Sequence, residues 1–182
     1  MDAINKAIFF KCPFAQTLQK KQKLILSAND TYLATIPLLR SNYVLTHGDL
    51  DQLNVIWDTA GQPILIDWES TRNFNPTLEI VRTSLNWSGI GTENFSLSIY
   101  THMLHTYIQS GGTLNKPSIS SALHGTFGSS INWLLYNINI ACTQELSKNS
   151  ETKHTATKEV NWAMMTIIRL QTLMPDLLNG GI

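Results

Sequence analysis

The stretch Thr46-His47-Gly48-Asp49-Leu50-Asp51-Gln52-Leu53-Asn54 decides how this chain is interpreted, together with Ile66-Asp67-Trp68-Glu69 further on. The first stretch contains Asp49 and, five residues later, Asn54, and the second contains Asp67. Phosphoryl transfer requires a carboxylate beside the attacking hydroxyl and hard oxygen ligands for Mg²⁺ on the phosphates. The two stretches therefore contain the residue types that this chemistry needs.

Short strands are predicted around these two stretches. Asp58-Thr59-Ala60-Gly61 separates two apolar triplets, which predicts a hairpin with Gly61 in the positive-φ conformation of its turn. Such a hairpin would bring Asn54 and Asp67 to one side of a common site. The triplets that predict the strands are Tyr43-Val44-Leu45, Val55-Ile56-Trp57 and Ile64-Leu65-Ile66.

The rest of the sequence is typical of helices. Apolar residues recur at helical spacing over residues 13–39, where Asn29-Asp30 predicts an N-cap between two short helices. Four more helices are expected near residues 77–87, 95–109, 118–147 and 154–178, with weak linkers at 111–117 and 148–153. We therefore predict one mainly α, α+β domain over residues 1–182. It comprises a helical front segment (1–42), the catalytic and metal-binding loops (43–69) and a helical subdomain (70–182).

Composition excludes some classes of function. Thirteen acidic and thirteen basic residues cancel, so no clustered basic surface predicts binding to nucleic acid or to an anionic membrane. No signal peptide and no apolar run of membrane-spanning length is evident. Cys12 and Cys142 lie far apart in the sequence without a partner at metal-ligand spacing, which predicts free thiols and a cytoplasmic protein.

The two stretches together resemble the aminoglycoside phosphotransferase and choline kinase superfamily, whose members share a protein-kinase-like fold. The resemblance rests on His47-Gly48-Asp49-Leu50 with Asn54, and on Ile66-Asp67-Trp68-Glu69, and extends over most of the chain from Tyr43 onward. It implies that Asp49 is the catalytic residue at the substrate hydroxyl and that Asn54 and Asp67 hold Mg²⁺. ATP and Mg²⁺ are the cofactors that it implies.

Other residues near the motifs have supporting roles by this interpretation. His47 is expected to hold the loop backbone by hydrogen bonding, and Asp51 to support the loop. Asp51 stands where protein kinases acting on Ser or Thr usually have Lys, and Trp68-Glu69 replaces their Phe-Gly, which favours a small-molecule hydroxyl as the acceptor. Two further groups carry no functional prediction: four tryptophans expected in the core, and acidic residues too scattered to indicate a cationic acceptor. They are Trp68, Trp87, Trp133 and Trp162, and Glu145, Glu151, Glu159 and Asp176.

The front of the chain departs from the resemblance. A complete member has a β-rich N-terminal lobe with a glycine-rich phosphate loop, whereas residues 1–42 have the pattern of helices. Two hypotheses follow: a phosphotransferase C-terminal lobe that needs an ATP-binding lobe, or a non-catalytic remnant or binding module from a truncated kinase gene. The apolar surface facing such a lobe is expected to be covered by the front segment or by a second chain, either a separate lobe or a homodimer partner. The front-segment residues proposed for this contact are Phe9, Phe10, Phe14 and Leu18.

Overall fold

The computed structural model describes residues 3–142 and 150–180. Along the described chain, two α-helices precede four short strands that form two antiparallel sheets, and four more α-helices follow. The helices are α1 (Ala3–Phe9), α2 (Ala15–Leu39), α3 (Pro76–Trp87), α4 (Leu97–Gln109), α5 (Lys116–Ala141) and α6 (Ser150–Gly180). The strands are β1 (Val44–Thr46), β2 (Val55–Trp57), β3 (Pro63–Leu65) and β4 (Arg72–Phe74).

The core lies among the helices. α5 packs against α2, α3 and α6, and its buried side chains include Ile119, Leu123, Phe127 and Leu134. Burial of such apolar side chains is worth about 1.5–3 kcal/mol each, so this helix is the centre of the fold. None of the helices in the described part of the chain is long and apolar enough to span a bilayer.

The two sheets position the loops between them. β2 pairs with β3 as the predicted hairpin, in the register Val55 opposite Leu65, and Gly61 has φ +76° in its turn. β1 pairs with β4, which the sequence analysis did not predict. β1 ends directly before His47, and β4 begins shortly after Asp67. Because these two strands are paired, the loop that begins at His47 lies beside the segment that follows Asp67.

Two predictions about helices are wrong. Asn29 and Asp30 lie inside the single helix α2, so they do not separate two helices. The cost of such residues in a helix interior is only tenths of a kcal/mol each, and the apolar face continues past them through Tyr32 and Leu39. Residues 150–153 are helical, so the predicted linker at 148–153 is also wrong there; residues 143–149, including Glu145, lie outside the described residues.

The front segment packs on the helical body. The side chains of Phe14 and Leu18 are buried in the core, and Lys6 Nζ on α1 donates to Asn139 Oδ1 on α5 at 2.9 Å. The Sγ atoms of Cys12 and Cys142 lie 2.8 Å apart in a buried contact, although no spacing in the sequence indicated that they meet. Burial raises the pKa of the Cys142 thiol to about 12. The apolar side chains of the β2–β3 hairpin stay exposed, so the front segment does not cover them.

Candidate active site

Asp49 and Asn54 are joined by hydrogen bonds. Asp49 is exposed on the loop after β1, and Asn54 is buried at the end of the one-turn 3-10 helix Gln52–Asn54. Asn54 Nδ2 donates to the backbone oxygen of Asp49 at 2.7 Å and to its carboxylate Oδ2 at 3.3 Å. Because both bonds use Nδ2, the amide oxygen of Asn54 is directed away from Asp49. That oxygen is the atom of Asn54 that a cation would use.

Asp67 lies directly after the hairpin and is exposed. The backbone N–H of Ile66 donates to the carbonyl oxygen of Asn54 at 3.0 Å, so the hairpin returns the chain to Asn54 just before Asp67. Asp67 has φ +61° and ψ +59°, a left-handed conformation that is uncommon for a non-glycine residue. Backbone strain of this kind persists where the surrounding structure fixes it, and it is common at functional sites.

The side chains at this site would hold a hard cation such as Mg²⁺ only if oxygen atoms other than those of carboxylates also bound the ion. Within residues 3–142 and 150–180, no three His, Cys, Asp or Glu side chains are grouped closely enough to hold a metal ion. The amide oxygen of Asn54 and the carboxylate of Asp67 are the oxygen types that Mg²⁺ takes, and Mg²⁺ commonly completes its shell with phosphates and water. Asn54 and Asp67 therefore suit a Mg²⁺ ion that binds together with the phosphates of a nucleotide better than an ion held by protein side chains alone.

His47 ties the two motifs together. Its ring is buried, its Nε2 lies 2.8 Å from the carbonyl oxygen of Ile66, and its centroid is 4.7 Å from that of Trp68. A carbonyl oxygen can only accept, so Nε2 carries a hydrogen and donates it to Ile66. Nδ1 is buried without a hydrogen-bond partner among the described residues. The hydrogen bond to Ile66 is thus made to the backbone beside Asp67.

Asp51 caps the 3-10 helix. Its Oδ1 accepts from the backbone N–H of Leu53 at 2.7 Å, and its own N–H donates to the carbonyl oxygen of Asp49 at 3.0 Å. The carbonyl oxygen of Asp49 therefore accepts from both Asp51 and Asn54. These bonds fix the backbone of Asp49 from within its own loop.

Sequence reasoning missed a second set of residues that hold the loop. Gly48 N–H donates to Glu79 Oε1 on α3 at 2.9 Å, and Gly48 carbonyl oxygen accepts from Arg82 at 2.7 Å and from Arg72 at 3.3 Å. Glu79 also pairs with Arg82 at 3.0 Å. The N–H and the carbonyl oxygen of Gly48, the residue before Asp49, are thus both bound by side chains from outside the loop. The signal in the sequence is weak, since Glu79 and Arg82 look like an ordinary i, i+3 surface pair.

A cavity of about 610 Å³ opens beside Asp49. Three carboxylates and three indole rings line it, together with Arg82 and neutral polar side chains. Trp133 Nε1 donates to Glu159 at 2.8 Å, which fixes that carboxylate at the cavity wall. The carboxylates belong to Asp49, Asp51 and Glu159, and the rings to Trp87, Trp133 and Trp162.

The cavity changes two expectations. The placing of Trp133 and Trp68 in the core is wrong, because they are 42% and 53% exposed, and Trp87 and Trp162 are only partly buried. In the sequence, Glu159 is one of four acidic residues too scattered to indicate a cationic acceptor, but α5 and α6 pack side by side and bring it to the same cavity as Asp49.

Comparison with known proteins supports the resemblance. The profile of the phosphotransferase enzyme family (APH) matches residues 12–104, which is about half of the chain and includes α2 as well as both motifs. None of the curated proteins compared with the sequence matches it. The crystal structure of spectinomycin phosphotransferase, APH(9)-Ia, in complex with ADP and spectinomycin aligns with a TM-score of 0.57 at 16% identity.

The alignment covers 89% of this chain and 49% of that one, so the chain spans about half the length of the phosphotransferase that it matches. At this identity the likeness shows the fold: a mainly helical arrangement with small antiparallel sheets, as in part of a kinase-like phosphotransferase. Together with the profile match over residues 12–104, it confirms the superfamily that the motifs indicated. This chain belongs to the phosphotransferase enzyme family.

Proposed function

We propose that this chain is the catalytic, C-terminal-lobe part of a phosphotransferase that moves the γ-phosphoryl group of ATP to a hydroxyl of a small molecule. The observation that carries the proposal is the setting of Asp49. Asp49 is exposed and lines the 610 Å³ cavity, and Asn54 Nδ2 donates one hydrogen bond to its carboxylate and one to its backbone oxygen. A carboxylate in that position can orient an acceptor hydroxyl and accept its proton as the phosphoryl group is transferred.

Asn54 and Asp67 are the residues that we propose for Mg²⁺. Magnesium, when bound with ATP, neutralises the charge on the phosphates. Asn54 would contribute the amide oxygen that is directed away from Asp49, and Asp67 the carboxylate that follows the hairpin. The prediction that these two oxygens meet at one point, with Asp49 on the same cleft, stays a prediction. His47 supports it by fixing the backbone next to Asp67.

The cavity favours an acceptor that carries a positive charge. Asp49, Asp51 and Glu159 contribute three negative charges to its lining, against the one positive charge of Arg82. Indole rings attract cations through their faces, by about 0.5–2 kcal/mol. A hydroxylated amine small enough for the cavity satisfies both the carboxylates and the rings.

The nucleotide requires more than the described residues offer. Leu53 is 85% exposed and Trp57 60% exposed, and Ile56, Ile64 and Trp68 on the same hairpin region are also exposed. Soluble proteins rarely leave contiguous apolar patches larger than a few hundred Å² uncovered. APH(9)-Ia, whose structure contains ADP, is about twice as long as the aligned part. We propose that a separate β-rich lobe covers the hairpin and completes the ATP site.

The test measures transfer of label from γ-labelled ATP with Mg²⁺ to a panel of hydroxylated amines. ATP is used at about 10 mM, because the chain alone is expected to bind it weakly. We expect labelled acceptor from the wild type and a rate at least about 100-fold lower from Asp49→Asn, the usual cost of losing a general base. Asp30→Asn, an exposed change on α2, is the matched control and should match the wild type.

Two results would overturn the proposal. Equal rates from wild type and Asp49→Asn would show that Asp49 is not the catalytic residue. No labelled acceptor from the wild type, at an ATP concentration at which calorimetry shows Mg-ATP bound to the chain, would favour the second hypothesis, a non-catalytic remnant or binding module. In the latter case, light scattering and co-purification would show whether the hairpin is instead the contact of a homodimer.

A further inference from the structure

A second cavity, of about 250 Å³, lies among the C-terminal half of α2, β4, α3 and α5. It differs in charge from the 610 Å³ cavity beside Asp49, which we call the acceptor cavity. Arg40 at the C-cap of α2, Arg72 on β4 and Arg82 on α3 line it, and its described lining includes no Asp or Glu. Ser129 and Asn132 add neutral polar side chains from α5. Three arginines thus line one small space whose described wall includes no carboxylate.

Two of the arginines converge behind the catalytic loop. Arg72 and Arg82 both donate to the carbonyl oxygen of Gly48, and their guanidinium carbons lie 4.9 and 5.6 Å from the centroid of the Phe74 ring. Such proximity of like charges is unfavourable unless negative charge compensates for it. Glu79 is the carboxylate that pairs with Arg82, and no ion pair to Arg40 or Arg72 occurs among residues 3–142 and 150–180.

The charged neighbours of Arg82 act on its pKa in opposite directions. Burial lowers the pKa of Arg82 below its usual range, and the Arg72 charge acts in the same direction. Glu79 opposes this shift in pKa most strongly, and Asp49, on the side of the acceptor cavity, opposes it less than Arg72 favours it. Hence Glu79, rather than Asp49, balances the charge of Arg72 at Arg82, and Glu79 does not line the second cavity.

We propose that this second cavity binds a small oxyanion of the phosphate class. Guanidinium groups present paired N–H donors that match the oxygens of phosphate, and they are the side chains most used to bind it. The volume of about 250 Å³ lies below the usual range for drug-sized ligands, about 300–1,000 Å³, so a phosphate or a very small phosphorylated molecule fits and a nucleotide does not.

The site is coupled to the catalytic loop by Arg82. Arg82 lines both cavities and binds the carbonyl oxygen of Gly48, the residue before Asp49. An oxyanion in the second cavity competes with that carbonyl for the same guanidinium groups. Its binding therefore acts on the backbone that positions Asp49, independently of whether ATP is the phosphoryl donor.

The test measures binding of inorganic phosphate by calorimetry and by thermal unfolding, with ionic strength held constant by sodium chloride. We expect saturable binding with a dissociation constant on the order of millimolar or tighter. Arg40→Gln should weaken it at least about fivefold, since Arg40 lines this cavity and not the acceptor cavity. Lys23→Gln, which removes an exposed positive charge from the same helix, is the matched control and should bind like the wild type.

Three outcomes contradict the proposal. Thermal stabilisation that rises linearly with phosphate, without saturation, indicates the general effect of an excluded salt. Equal weakening by Arg40→Gln and Lys23→Gln indicates a diffuse charge effect. Unchanged binding in Arg40→Gln places the anion elsewhere. Because Arg40 is exposed at a helix end, the variant is expected to fold, and its unfolding curve checks this in the same experiment.

Discussion

Gly48 is held in a conformation and a space that exclude a side chain. Its φ is +82°, and a Cβ atom placed on it would lie 2.1 Å from the carbonyl oxygen of Ser70. Its N–H and carbonyl groups are bound by Glu79 and Arg82. The loop before Asp49 can therefore approach the segment after Asp67 only because residue 48 has no side chain.

We predict that Gly48→Ala strongly destabilises the protein. The left-handed conformation costs an L-residue about 1–2 kcal/mol, and the clash with a backbone carbonyl adds to this, so a loss above about 4 kcal/mol is expected in denaturant unfolding. Gly61→Ala is the matched control: its φ is +76° but no atom lies within 4 Å of the added Cβ, so it should lose only about 1–2 kcal/mol. Similar losses for both variants would contradict the close packing around Gly48.

At the residue scale the sequence predicted the loop residues but not what holds them. His47, Asp49, Asn54 and Asp67 stand at a recognisable spacing within one short stretch of chain. The side chains from β4 and α3 that bind Gly48 come from further along the chain. A sequence shows spacing within a segment, whereas these contacts depend on how α3 packs beneath the loop. Glu159 escaped prediction for the same reason.

At the element scale, apolar spacing predicted helices well and short polar strands poorly. The helices α3 to α6 follow from their apolar periodicity, and the β2–β3 hairpin follows from Gly61 and its flanking triplets. β4 has the sequence Arg72-Asn73-Phe74, which shows no apolar strand pattern. It is a strand because its backbone pairs with β1, and that pairing leaves no signal in the local sequence. Asn29 and Asp30 were misleading because packing of α2 on α5 outweighs a local capping preference.

The helix α4 contains a testable weakness at Tyr100. This side chain is fully buried, and its hydroxyl has no hydrogen-bond partner among the described residues. We predict that Tyr100→Phe stabilises the protein by about 1–3 kcal/mol at neutral pH, the usual cost of a buried unsatisfied polar group. Denaturant unfolding measures the difference, and Tyr136→Phe, at an exposed position on α5, should change stability little.

The gain from Tyr100→Phe should grow at alkaline pH. Burial raises the pKa of Tyr100 above its ordinary value, so the unfolded chain loses the phenol proton at a pH where the folded chain keeps it. The folded state then binds more protons than the unfolded state, and the stability of the wild type falls as pH rises above about 10. Cys142, whose pKa is also raised, is present in both proteins and cancels in the comparison. A constant difference from pH 7 to pH 11 would contradict the burial of the phenol.

At the scale of the whole molecule, the exposed β2–β3 hairpin and an alignment that covers only half of APH(9)-Ia lead to a prediction about nucleotide affinity. We expect the chain alone to bind Mg-ATP with a dissociation constant of about 1 mM or weaker, because few described groups could enclose the base. Calorimetry with the purified chain measures this, and Mg-ADP provides a second ligand for comparison. Micromolar affinity would show that the described residues form a complete nucleotide site and that no separate lobe is needed.

The contact of Cys12 with Cys142 has a consequence for the order in which the protein is built. The two residues are 130 positions apart, and ribosomes add about 5–20 residues per second. The segment around Cys12 therefore waits several seconds or more before the end of α5 exists for it to pack against. During that time α2 has no helix α5 to pack against, although its Leu18 and the neighbouring Phe14 are buried in the finished fold. A part of the chain that is synthesised early is among the last to be protected, and it is the part that a chaperone would meet first.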